Sequence, residues 1–87
     1  MKAEDIVLKV LQSLADDALD TVLIFSKGQF IRRYYSLRFK RQIPACKTET
    51  LLRTLRSLAS SSRFLKYHPE RRGYYILDVV ELPRKNP

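Results

Sequence analysis

The sequence predicts a small α+β domain with three helices, a short strand after the first helix and a C-terminal β-hairpin. Three observations support this prediction. Apolar residues recur at helical spacing in three stretches, the spacing changes to two near the C-terminus, and 87 residues suffice for one domain only. We assign residues 1 to 82 to this domain. Residues 83 to 87 are expected to form a flexible tail, because they carry two prolines and no apolar anchor.

The first helix is predicted over about residues 3 to 15. Its apolar side chains alternate spacings of three and one, which places them on one stripe of a helix. They are Ala3, Ile6, Val7, Val10, Leu11 and Leu14. Three aspartates then interrupt the pattern. The segment from Thr21 to Phe25 is β-branched and apolar, which is typical of a short buried strand.

The second helix has the best-marked start. With Ser26 as N-cap, Gln29 falls at the third helical position and completes a capping box. Phe25, just before the cap, can pack on Phe30 as a hydrophobic staple. We expect this helix to end near Lys40, because a proline four residues later cannot continue it.

The third helix is predicted over residues 48 to 60, with Thr48 as a candidate cap. Its apolar residues again follow helical spacing: Leu51, Leu52, Leu55, Leu58 and Ala59. From residue 63 the period becomes two, and a turn at residues 69 to 73 separates two alternating segments. This pattern predicts a β-hairpin whose turn carries Arg71 and Arg72.

The positive charge is concentrated in the middle of the chain. The whole chain has a net charge of +8, but residues 27 to 72 carry thirteen Lys or Arg against two acidic residues, a net charge of +11. Such a segment favours a polyanionic partner, because neutralising phosphates releases counterions. A solvated basic face without a partner is the alternative.

The composition argues against several classes of function. Cys46 and His68 are each the only residue of their type, so a zinc site lacks ligands and we predict no metal, no cofactor and no enzymatic activity. A single cysteine fits a reducing, cytoplasmic setting. The apolar run from Thr21 to Phe25 is too short to span a bilayer, so we expect no membrane association.

The order of helix, strand, helix, helix and hairpin resembles that of the winged helix-turn-helix superfamily over about residues 3 to 80. The segment KTETLLRTLRSLA, residues 47 to 59, resembles the recognition helix of that superfamily. The resemblance is to small microbial or viral transcriptional regulators. It implies that the third helix enters the major groove of double-stranded DNA and that the hairpin is a wing on the backbone or minor groove.

The candidate DNA-binding residues fall into three groups. On the recognition helix, Arg53 is the leading base reader, because arginine can pair bidentately with guanine. Around it, hydroxyl groups can contact bases, and the helix start suits phosphates. These recognition-helix residues are Lys47, Thr48, Thr50, Thr54 and Ser57. The wing group is Lys66, Arg71 and Arg72, and the backbone-contacting group on the second helix is Lys27, Arg32 and Arg33.

The sequence therefore predicts a DNA-binding transcriptional regulator, located in the cytoplasm with the nucleoid or in the host cytoplasm if viral. Two alternatives stay open. The same fold can bind RNA, or it can serve as a protein-assembly module whose basic face meets an acidic partner. Winged-helix regulators often pair, so a homodimer is possible, with the first helix and the tail as candidate surfaces.

Overall fold

The structure, a computed structural model, describes residues 1 to 84. Its elements follow the order predicted from the sequence, and they form a small α+β domain with three helices and a three-stranded antiparallel sheet. The bounds are α1 Ala3–Asp16, β1 Val22–Ser26, α2 Lys27–Phe39, α3 Thr48–Ser61, β2 Leu65–Tyr67 and β3 Tyr74–Asp78. Residues 85 to 87 of the predicted tail lie outside the described residues.

The last strand occupies the centre of the sheet. The strand order is β1-β3-β2, and both neighbours run antiparallel to β3. Phe25 of β1 lies opposite Tyr75, and Leu65 of β2 lies opposite Leu77. Since successive side chains point to opposite faces, these four residues share the inner face of the sheet, where all four are buried.

The helices cover that inner face. α1 packs against both α2 and α3, while α3 contacts β2 and α2 contacts β1. Side chains from every layer are fully buried in one core, among them Ile6, Phe30, Leu55 and Leu77. The apolar stripe predicted for α1 is buried apart from Ala3, which lies at the start of the helix.

The predicted start of α2 is confirmed. The Gln29 N–H donates to Ser26 Oγ at 3.1 Å, and the Ser26 N–H donates to Gln29 Oε1 at 2.7 Å, which completes the capping box. The rings of Phe25 and Phe30 stack with their centroids 6.4 Å apart. Strand and helix therefore meet at a junction that local sequence rules define.

Two predictions are corrected, one about the position of β1 in the sheet and one about the cap of α3. β1 is an edge strand rather than a buried one: Val22 and Ile24 point away from the helices and are about half exposed. Thr48 is the first residue of α3 and not its cap; Lys47 takes the cap position in an extended conformation, without a capping side-chain hydrogen bond.

The segment after β3 returns to α1. Leu82 is buried, Gln12 Nε2 donates to the carbonyl oxygen of Pro83 at 2.8 Å, and Arg84 pairs with Asp16 at 2.8 Å. The first two residues of the predicted tail thus contact α1.

Candidate functional site

A basic cleft lies between the hairpin loop, the start of α2 and one flank of α3. Its volume is about 470 Å³. We call it the basic cleft and define it by its four cationic lining residues, Lys27, Arg56, Arg71 and Arg72. Glu70 is the one acidic residue in its lining, and three tyrosines form much of the remaining wall. The lining is therefore strongly positive.

Backbone contacts fix the cleft's two sides to each other. The Lys27 N–H, the first of α2, donates to the carbonyl oxygen of Gly73 at 2.9 Å. Gly73 has a φ of 78°, a left-handed conformation that other residue types adopt at a cost. The turn at this glycine closes the hairpin and brings it against the start of α2.

His68 organises the hairpin loop. Its Nδ1 accepts the backbone N–H groups of Glu70 and Arg71, both at 3.1 Å, and its own backbone N–H donates to the Tyr74 carbonyl oxygen at 2.9 Å. The His68 side chain thus holds two consecutive backbone N–H groups of the loop. No pattern in the sequence had indicated this role for His68.

The two loop arginines differ in how they are held. The guanidinium carbon of Arg71 lies 3.9 Å from the ring centroid of Tyr74, which is cation–π geometry. Arg72 is exposed, and among residues 1 to 84 its side chain makes no hydrogen bond or ion pair. The loop thus presents one positioned guanidinium and one that can adapt to a ligand.

Arg53 occupies the middle of the exposed face of α3. Its side chain is 70% exposed, and its guanidinium lies 3.5 Å from Glu49 one turn earlier. Because this pair is exposed, it contributes little to stability and can be exchanged for another anion. Thr54 Oγ1 donates to the Thr50 carbonyl oxygen at 2.9 Å but can still accept a hydrogen bond.

The other residues predicted to bind DNA at the start of α3 and along it differ in their exposure to solvent. Ser57 and Lys47 are exposed, whereas Thr48, Thr50 and Thr54 are half-buried.

Arg56 lines the cleft but was not among the residues predicted from the sequence. Its carbonyl oxygen accepts the Tyr67 hydroxyl at 3.2 Å, which ties α3 to the hairpin. It follows Arg53 by three positions, so the two residues share one side of α3, and the bond from Tyr67 places Arg56 beside β2. Helical spacing from Arg53 was the signal that could have found it. Burial raises the pKa of the nearby Tyr75 hydroxyl; Tyr67 raises it further and Arg56 opposes the shift.

None of the six residues predicted for the recognition helix lines the cleft, and three of the six predicted for the hairpin and α2 are not brought to it either. The Arg33 guanidinium binds Asp17 and the backbone and side-chain oxygens of Ser13, so α1 occupies it and removes it from the candidate interface. Lys66 pairs with Ile76 on the outer face of the sheet, because side chains alternate along β2. Arg32 is exposed on α2 outside the cleft lining.

No protein-family model, curated protein or solved structure matches this chain. Within residues 1 to 84, no helix combines the length and apolar character needed to cross a membrane. The same residues contain no group of three or more His, Cys, Asp or Glu side chains that could hold a metal ion.

Proposed function

We propose that this chain is a double-stranded DNA-binding protein of the winged helix-turn-helix type that regulates transcription. α3 enters the major groove, and the hairpin loop lies on the backbone or in the minor groove. The order of the elements supports this proposal, as does the sheet in which the hairpin packs beside α3. A helix of 14 residues is about 21 Å long, which suits a major groove.

The observation that carries the proposal is the basic cleft next to the exposed face of α3. Its four cations converge from three separate elements, and Glu70 is the one carboxylate in the lining. Bringing like charges together raises the free energy of the folded chain unless a polyanion neutralises them. A DNA backbone beside the groove that α3 enters supplies the required phosphates.

Each group has a distinct role in this proposal. Arg53 reads a guanine edge, with Thr50 and Ser57 contacting neighbouring bases. Lys47, at the start of α3, binds a phosphate with the free N–H groups of the first turn. The cleft cations bind phosphates flanking the groove, and Arg71 or Arg72 can enter a narrow minor groove.

Fluorescence anisotropy with a labelled duplex, measured at several salt concentrations, tests this proposal. Lys47 and the four cleft cations together predict about five phosphate contacts and hence a slope of log K against log salt near −4.5. The double variant Arg71→Ala/Arg72→Ala should make the slope shallower by about two. Its matched control, Lys2→Ala/Lys9→Ala, removes the same charge from exposed residues at α1 and should leave the slope nearly unchanged.

Comparing a duplex selected for tight binding with a duplex of random sequence separates base reading from phosphate binding. Arg53→Ala should weaken binding to the selected site about tenfold or more while changing affinity for random duplex little. The proposal fails if no duplex binds at low salt, or if both double variants weaken binding equally. A structured RNA that displaces the duplex at equal concentration would instead favour RNA as the ligand.

A further inference from the structure

The outer edge of β1 is an open pairing surface. β1 lies at the edge of the sheet, and its five residues contain no charge and no proline. Natural edge strands are commonly blocked by lysine, proline or a bulge, because an unprotected edge templates pairing with another strand. Residues Val22–Ser26 pair with β3 in continuous register, so no bulge interrupts this edge.

The backbone hydrogen bonds within residues 1 to 84 show which groups of β1 have no partner there. Thr21 accepts a hydrogen bond from Val79, and the Lys27 N–H donates to Gly73, so the odd-numbered residues of this segment face β3. In an antiparallel pair the intervening residues direct their N–H and C=O groups the other way. Val22 and Ile24 therefore present both backbone groups to the open edge, while the outward N–H of Ser26 is already bound by Gln29.

Exposed apolar side chains gather around the same edge. Val22 is 49% exposed and Ile24 47% exposed, and both project from the outer face of the sheet. Leu19, three residues before β1, is fully exposed. Val80 is 73% exposed and follows Val79, which is hydrogen-bonded to Thr21.

We propose that a second copy of this chain pairs with β1 across a two-fold axis at Leu23, giving one continuous antiparallel sheet. In this register Val22 of one copy lies opposite Ile24 of the other, and the two residues exchange both backbone hydrogen bonds. The two-fold axis repeats the pair, so the free groups at Val22 and Ile24 satisfy one another. The edge is thus complementary to itself, as a two-fold contact between identical chains requires.

The side chains agree with this register. Opposite residues of paired strands lie on the same face, so the exposed Val22 and Ile24 side chains of the two copies cover each other. Shifting the register by two residues, which moves the two-fold axis to Ile24, would place Ile24 opposite itself and Val22 opposite Ser26, whose N–H is already taken. Since few residues take part, we expect a weak dimer that forms with rising concentration.

Sedimentation equilibrium of the full chain across micromolar to millimolar concentrations tests the pairing. Ile24→Lys should weaken dimerisation about tenfold or more, because it places a charge on the paired edge. Phe39→Lys is the matched control: it puts the same charge at an exposed apolar residue of α2 and should leave dimerisation unchanged. Far-ultraviolet circular dichroism checks that both variants are folded.

Cysteine crosslinking tests the register and the axis. Strand residues facing each other at Leu23 form a non-hydrogen-bonded pair with Cα atoms about 4.5 Å apart, within the range of a disulfide. In a Cys46→Ser background, Leu23→Cys should therefore crosslink two copies under mild oxidation, and Ile24→Cys should crosslink far less. Crosslinking at Ile24 instead would overturn the register.

Two other results would overturn the pairing itself. If the chain stays monomeric at millimolar concentration, two copies do not pair at β1, and a strand of a different protein would be the remaining candidate partner. A dimer weakened by Phe39→Lys but not by Ile24→Lys would place the contact on α2. None of these measurements requires DNA, so the pairing can fail while DNA binding succeeds, and the reverse.

Discussion

Tyr34→Phe tests how the structure positions the start of α3. Tyr34 is 2% exposed, and its hydroxyl makes two hydrogen bonds to the backbone of Cys46, in the loop just before α3. It accepts the Cys46 N–H at 2.8 Å and donates to the Cys46 carbonyl oxygen at 3.0 Å. Phenylalanine retains the ring and its packing, so the substitution removes these two bonds alone.

The expected loss of stability follows from those bonds. Each hydrogen bond contributes about 0.5–1.5 kcal/mol net, so two give about 1–3 kcal/mol. Because Cys46 is half-buried, water can replace part of the loss, and we expect the free energy of unfolding to fall by about 1–2 kcal/mol. For a domain of this size, each kcal/mol lowers Tm by about 4–8 °C.

Urea unfolding monitored by circular dichroism measures this change. Tyr35→Phe is the matched control, because Tyr35 is 57% exposed and its hydroxyl has no hydrogen bond within residues 1 to 84. It should change the free energy of unfolding by less than about 0.5 kcal/mol. The reasoning is refuted if Tyr34→Phe, like the control, changes the free energy of unfolding by less than about 0.5 kcal/mol at an unchanged m-value.

Three further predictions concern stability. Ser26→Ala should lower the free energy of unfolding by about 0.5–2 kcal/mol, because it removes the α2 cap; an unchanged urea midpoint would contradict this. Arg41 has a φ of 58°, so Arg41→Gly should raise stability by up to about 1 kcal/mol, and a lower Tm would count against it. Burial raises the pKa of Tyr75 in the folded state. The contribution of Tyr75 to the free energy of unfolding is therefore complete below pH about 10 and is lost as pH rises through the raised pKa. Urea titrations at pH 9 and 11 should show a smaller decline for Tyr75→Phe, and an equal decline would exclude this residue as the cause.

Features set by near neighbours in the chain could be predicted from the sequence. The capping box at Ser26 depends on a residue three positions away, and the apolar stripe of α1 depends on helical spacing. Both are present in the structure because the interacting groups lie within a few residues of each other in the chain. The period of two after residue 63 likewise predicted two strands separated by a turn, and burial alternates along β3 in the structure.

Features set by distant contacts could not be predicted. Nothing in the segment around β1 shows that its partner is β3, and without that pairing an apolar run looks buried on both faces. The end of α2 was predicted near Lys40 and lies at Phe39, but the left-handed residue that follows was not predicted. Gln42 N–H donates to the Leu37 carbonyl oxygen and Arg41 N–H to that of Arg38, a Schellman arrangement that usually has glycine where Arg41 lies.

The distribution of internal contacts also limits what the charge of the basic segment can mean. Arg33 is held by Asp17 and Ser13, and Arg38 donates to the Ile43 carbonyl oxygen at 3.0 Å, so both guanidinium groups stabilise the fold. The net charge of +11 over residues 27 to 72 therefore overstates the charge available to a ligand.

Affinity for a polyanion should consequently depend on the few cations near α3 whose side chains make no hydrogen bond or ion pair within residues 1 to 84. If binding reflected net charge alone, replacing Lys9 on α1 would weaken it as much as replacing Arg72 in the hairpin loop. The basic cleft predicts instead that position decides, because phosphates must lie within contact distance of a cation to release their counterions.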